Sequence, residues 1–206
     1  MKKFNLIIAS LIVAVGFAAC SKDDTEYYDP QKYFTLEASA IEDYADSVAS
    51  AMGKEAVWDS TGIWYILEEE GLQDSTADGF YKYNINNANQ IEVPRISVKY
   101  SGRLINTGAA FATDQTMNNQ SLVNLIQGWH FAFLPKFIED KKGVMQRNYL
   151  SIDILELGLQ KGSKVRIFLP SPFGYANSTQ PNIPANSPLD FHIEVLEVKP
   201  PAPINN

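Results

Sequence analysis

The chain has 206 residues, with 24 acidic against 17 basic side chains and a formal net charge of −7. That balance excludes an ordinary nucleic-acid binder, because phosphate binding rests on clustered Lys and Arg, and the sequence has no such cluster. Two histidines and one cysteine supply neither a metal-ligand set nor a catalytic triad, so no metal and no cofactor are expected.

The chain opens with Lys2 and Lys3, an apolar run from Leu6 to Phe17, and the small residues Ala18 and Ala19 before Cys20. A basic start, a short apolar core and small residues at a cut describe a secretory signal peptide over residues 1–19. The apolar run falls short of the ~20 residues that span a bilayer. Phe17-Ala18-Ala19-Cys20 resembles the bacterial lipobox, in which Leu is preferred where Phe17 stands. That resemblance implies lipidation of Cys20 and a membrane anchor there, which gives a use to a lone cysteine of an exported chain. Loss of residues 1–19 removes two lysines and no acid, leaving 187 residues and a net charge of −9.

Residues 20–35 begin with Ser21-Lys22-Asp23-Asp24-Thr25-Glu26 and read as an acidic, solvated tether. The same stretch resembles signals that send some Gram-negative lipoproteins to the outer surface of the outer membrane. The cell envelope is therefore the expected location, with the cell surface and the periplasmic face both open. Leu36, Ile41, Tyr44, Val48 and Met52 recur near helical spacing, and Gly53 is a stop. A helical extension is expected over 36–61, packing on the domain or on a partner.

From Gly62 the pattern turns to strands. Ile63-Trp64-Tyr65-Ile66-Leu67 is β-branched and aromatic. Residues 71–94, rich in Asn, Asp, Ser and Gly, read as a long loop or an irregular hairpin. Ile96, Val98 and Tyr100 alternate with Ser97 and Lys99. Val165-Arg166-Ile167-Phe168-Leu169 is a further strand, and Leu189, Phe191, Ile193 and Val195 alternate with Asp190, His192 and Glu194 in the last one. His192 thus falls on the polar phase, as a solvated side chain, and His130 is given no chemical role. Residues 200–206 form a frayed tail.

Four pieces stand in an order that resembles the FKBP family over residues 62–199. They are Gly62-Ile63-Trp64-Tyr65-Ile66-Leu67-Glu68-Glu69-Glu70-Gly71; Val98-Lys99-Tyr100-Ser101-Gly102-Arg103-Leu104 followed by Phe111; Leu125-Ile126-Gln127-Gly128-Trp129; and the closing half from Gly162 through Pro170-Ser171-Pro172-Phe173-Gly174-Tyr175 to Ile183-Pro184 and Leu189-Asp190-Phe191. The resemblance implies an α+β fold: a twisted antiparallel β-sheet wrapped around a short α-helix that begins near Trp129, with the helical extension in front. It also implies an aromatic cup that takes proline-containing polypeptides, and peptidyl-prolyl cis-trans isomerisation as the activity. Carried over by position, the catalytic residues are Tyr100, Phe111, Ile126, Trp129, Tyr175 and Phe191, and Leu125 and Ile183 bind substrate. Each of these aromatics taken alone is ordinary core packing; the set in family spacing is what points to a cup. A proline-binding or chaperone module with little turnover is the alternative reading.

Three departures bear on turnover. Ala112 stands where the family commonly has Asp, with Asp114 two places on. The segment from Phe111 to Trp129 is short, and a strand that usually brings another cup aromatic is expected to be cut down, with Gln120-Ser121-Leu122-Val123 in its place. Between Trp129 and Gly162 lies an insertion of roughly twenty residues around Pro135 to Leu155. It reads as a solvated loop carrying Glu139-Asp140-Lys141-Lys142, with a partner- or substrate-binding flap as the other possibility.

Overall fold

The structure, a computed structural model, describes residues 27–85, 90–140 and 142–202. The expected signal peptide, Cys20 and the first residues of the tether lie outside the described residues. In chain order the elements are α1 (Pro30–Met52), β1 (Val57–Trp58), β2 (Trp64–Glu69), β3 (Arg95–Leu104), β4 (Ala110–Ser121), α2 (Gln127–Phe133), β5 (Phe137–Glu139), β6 (Met145–Arg147), β7 (Lys164–Leu169) and β8 (Leu189–Lys199). Single turns of 3-10 helix stand at Leu122–Asn124 and Ser171–Phe173.

Helix α1 starts six residues before the expected position. Asp29 caps it by accepting from the Gln31 N–H at 3.0 Å, and Pro30 occupies the first turn, where its missing N–H costs nothing. Gly53 ends it in the left-handed conformation at φ 62°. The buried stripe is Glu37, Ile41, Ala45 and Ala49, one residue per turn. Leu36, read as part of that stripe, is 65% exposed, whereas Tyr44, Val48 and Met52 do flank the contact.

The sheet runs β1-β2-β7-β8-β3-β4, and every neighbouring pair is antiparallel. Its strands alternate as the sequence implies. One face carries Val165, Ile167, Leu169, Leu189, Phe191 and Ile193, packed with Trp129, Ala132 and Phe133 of α2. The other carries Ile66 and Phe168, covered by Ile41, Ala45 and Ala49 of α1. The small side chains at 45 and 49 let the helix lie close to the strands. The α+β architecture is thus a sheet with a helix on each face.

That second face holds a buried ion pair. Asp190, in the polar phase of β8, is only 2% exposed. Arg166 of β7 reaches it through Nε at 2.8 Å and through a second guanidinium nitrogen, and the Tyr44 hydroxyl of α1 donates to it at 3.0 Å. Burial, then the Asp190 charge, pushes the Tyr44 phenol up.

Two segments differ in part from expectation. The described part of residues 71–94 has no regular strand, but Tyr81 and Tyr83 are buried. Tyr83 donates to the Phe133 carbonyl at 2.9 Å, and the Gln160 amide makes two 2.9 Å bonds to the Tyr81 backbone. The insertion is not a solvated loop. It contains the β5–β6 hairpin, and Ile138, Ile152 and Ile154 join the main core. Ser151 Oγ donates to the Leu134 carbonyl at 2.7 Å, and Asn148 Nδ2 to that of Pro135 at 2.9 Å. Of the charged stretch, Glu139 ends β5, and Asp140 accepts from the N–H groups of Lys142 and Val144. Interleaved apolar residues, with no helical or strand period long enough to be read, hid this packing in the sequence.

Candidate functional site: an aromatic cluster at the first turn of α2

Trp129 sits on α2 and is 3% exposed. Its position depends on Gly128: a Cβ there would stand 2.4 Å from Leu169 Cδ1, so only glycine lets α2 lie this close to β7. Around the indole, the Tyr100 ring lies 5.5 Å away at 85° and the Phe191 ring 5.4 Å away at 85°. Phe191 also meets Phe111 at 5.4 Å and 75° and Tyr100 at 6.3 Å. These edge-to-face contacts suit the ring quadrupoles. Gly102 of β3 makes the Phe111 position possible, since a Cβ there would stand 2.2 Å from the Phe111 ring. Both motif glycines are therefore points of close approach.

All eight sequence-derived residues belong to or pack on the main core, and four of them, Tyr100, Phe111, Trp129 and Phe191, are linked by ring contacts. Trp129, Ile183 and Phe191 are buried in it, and Tyr100, Phe111, Leu125, Ile126 and Tyr175 are half-buried against it. Phe133, not singled out from the sequence, stacks on Trp129 at 6.2 Å and 15°. Its signal was the spacing of four from Trp129, which puts both rings on one side of a helix. A cavity of about 390 Å³ adjoins the cluster at Leu125; its other walls include Phe131, Leu134 and Leu150, so it opens on the next side of α2 and not over Trp129.

Unused hydrogen-bonding groups edge the cluster. Ile126 is the residue ahead of α2, and among the described residues its N–H finds no acceptor. The Tyr100 and Tyr175 hydroxyls likewise make no hydrogen bond within the described residues. Burial, then the neighbouring Tyr100, pushes the Tyr175 phenol up. Ile183 is held by reciprocal backbone bonds with Gln180, at 2.9 and 3.0 Å.

A family model described as FKBP-type peptidyl-prolyl cis-trans isomerase matches residues 89–196, just over half of the chain. The chain belongs to that family. Among curated proteins, FK506-binding protein 4 of Candida glabrata is 40% identical over 47 residues, which are 23% of this chain and 12% of that protein. Among solved structures, FkpA from Escherichia coli is 22% identical over 82% of this chain and 64% of its own, with a TM-score of 0.46. A peptidyl-prolyl cis-trans isomerase from Pseudomonas syringae pv. tomato is 20% identical over 83% and 96%, with a TM-score of 0.48.

Against the FKBP pattern, the position of the usual carboxylate is occupied by the half-buried Ala112. Asp114 does not replace it. It is exposed, with φ 47°, and its N–H donates to Ser101 Oγ at 3.1 Å, on the sheet face away from Tyr100. In the following stretch Gln120 and Ser121 end a strand and Leu122 and Val123 lie in a single 3-10 turn. Ala110–Ser121 is a 12-residue edge strand whose register against β3 shifts three times. What this FKBP strand lacks is apolar content, since only Phe111 and Met117 of its side chains pack on the main core. His192 faces solvent beside Glu68, at 3.1 Å, as its strand phase implied.

Proposed function

We propose that the protein is a peptidyl-prolyl cis-trans isomerase that assists the folding of exported or envelope proteins, with the Trp129 cluster as its proline site. The observation that carries this reading is the meeting of Trp129, Tyr100 and Phe111 on the single ring of Phe191, in a chain of the FKBP family. The X-Pro bond prefers trans by only ~0.5–1 kcal/mol. Rotation is slow because the planar amide loses its resonance on twisting, a barrier of ~18–20 kcal/mol. A dry aromatic surface favours the less polar twisted amide over the planar one, which water solvates. The proline ring rests on the Trp129 indole, the Ile126 N–H anchors a substrate carbonyl, and the Tyr175 phenol donates a second bond. Stabilising the twisted state more than the planar one is what lowers the barrier, and the scheme needs no nucleophile, metal or cofactor.

A proline-binding module with little turnover is the second reading, favoured by Ala112 in place of a carboxylate. Exchange NMR on a proline tetrapeptide separates the two. The isomerase reading expects faster cis-trans exchange at catalytic amounts of protein; binding without faster exchange selects the module, and no binding sinks both. In the same assay Ala112→Asp is expected to raise kcat/KM by about threefold or more while changing peptide affinity less, the mark of an interaction made mainly with the twisted state. An unchanged rate would remove Ala112 as the limit on turnover.

The anchor is proposed on the signal sequence alone. Among the described residues no helix is long and apolar enough to cross a membrane. Attachment to the outer membrane, on either face, then runs through a lipid on Cys20. Cys20→Ala is expected to yield an uncut or soluble protein on fractionation. Membrane association that persists after signal removal in this variant would overturn the anchor.

A further inference from the structure

Beside the cluster, α1 grips the loop that carries Tyr175. Glu37 is 8% exposed although it is a carboxylate on a helix. Its two oxygens accept from one residue: Oε2 from the Ser171 N–H and Oε1 from Ser171 Oγ, each at 2.6 Å. The Ser171 carbonyl in turn accepts from the Gly174 N–H at 3.0 Å and the Ala176 N–H at 2.9 Å. Tyr175 is the residue between those two donors. Two ring contacts clamp the same turn from either side: Phe34 of α1 on Phe173 at 4.9 Å, and Phe131 of α2 on Phe173 at 5.0 Å.

A buried carboxylate is costly unless its lone pairs are satisfied. An apolar residue at this point of the α1 stripe would dock the helix without that cost. Burial pushes the Glu37 carboxyl up, and the two Ser171 bonds pull it the other way. Helix docking alone is served by Ile41, Ala45 and Ala49 one to three turns further on. The one thing Glu37 does that these residues do not is fix Ser171.

We infer that Glu37 is a positioning residue for Tyr175, acting through Ser171, so that α1 is a working part of the proline site and not an appendage to it. This rests on the proposed role of the Tyr175 phenol. The conformation of a turn that carries a donor decides whether the donor reaches its acceptor, and shifts of about 1 Å matter to catalysis.

A double-mutant cycle in the full protein tests it, with peptide affinity for a proline tetrapeptide as the reading and urea unfolding as the control for folding. Glu37→Ala is expected to weaken peptide binding about fivefold in the wild-type background and less than about twofold in a Tyr175→Phe background. Equal losses in both backgrounds would make Glu37 a purely structural residue and overturn the inference. If Glu37→Ala does not fold, Glu37→Gln, which keeps the shape, and Ser171→Ala take its place in the same cycle. A second reading needs no ligand. Hydrogen exchange at the Gly174 and Ala176 amides is expected to speed up about tenfold in Glu37→Ala or Glu37→Gln. Unchanged exchange there would sink the positioning role even if the wild type binds peptide, whereas faster exchange in a protein that binds no peptide would leave the positioning intact and refute the proposed function.

Discussion

Trp129→Leu is expected to weaken proline-peptide binding more than about tenfold, a loss of ~1.4 kcal/mol, and to remove any isomerase activity with it. In the proposed site the indole is the flat floor, which Leu does not reproduce, and it is the partner of Tyr100, Phe191 and Phe133. Because Trp129 is 3% exposed, the substitution also costs stability. Full truncation to Ala would cost ~3–5 kcal/mol, so Leu is the cleaner probe. Urea unfolding establishes that the variant is folded, and NMR titration reads the affinity. A folded Trp129→Leu protein that binds peptide like the wild type would show that the cluster is core and not a site, and the isomerase reading would fall with it.

The second large effect is on stability alone. Asp190→Ala is expected to destabilise the protein by about 3 kcal/mol, because removing one member of a buried pair leaves the other charge uncompensated. The figure sits at the low end of the usual range since the Arg166 side chain is 20% exposed and keeps some access to water. Tyr44 loses its acceptor in the same step, so α1 is expected to loosen first. The double substitution Arg166→Met with Asp190→Leu is expected to recover most of the loss, since apolar side chains replace a buried pair at little net cost. A urea midpoint for Asp190→Ala within error of the wild type would mean that solvent reaches Asp190 freely and that the α1 contact is weaker than its geometry implies. Peptide binding serves as the control. Asp190 lies on the sheet face opposite Phe191, so a folded Asp190→Ala protein is expected to keep its affinity.

Strands β2, β3, β7 and β8 and the short helix at Trp129 were legible in the sequence, whereas β1, which falls inside the expected helical extension, and β4 were not. Period-two alternation is local, and it survives in β3 and β8 because both strands present one face to the same core. The motif glycines at 102 and 128 were legible as pattern and acquire their reason in space, as the places where a Cβ would strike Phe111 and Leu169. Other features were not legible. Asp29-Pro30 is a helix start signal, but the first apolar residue in register, Leu36, suggested a later beginning and then proved exposed. The insertion mixes buried and exposed residues without a period, so nothing local distinguished its packed ends from its exposed turn.

What the sequence determined by itself is which side chains share a face: Phe191 with Ile193 and Val195, and Asp190 with His192. What only the tertiary structure decided is what lies over each face. His192 and Asp190 have the same phase, yet His192 meets solvent while Asp190 is sealed under α1 with Arg166 and Tyr44. Glu37 and Ser171, 134 positions apart in the chain, become bonded partners in the same way. Alternation is set by backbone geometry within a few residues, whereas burial depends on which distant element arrives, and no local pattern encodes that arrival.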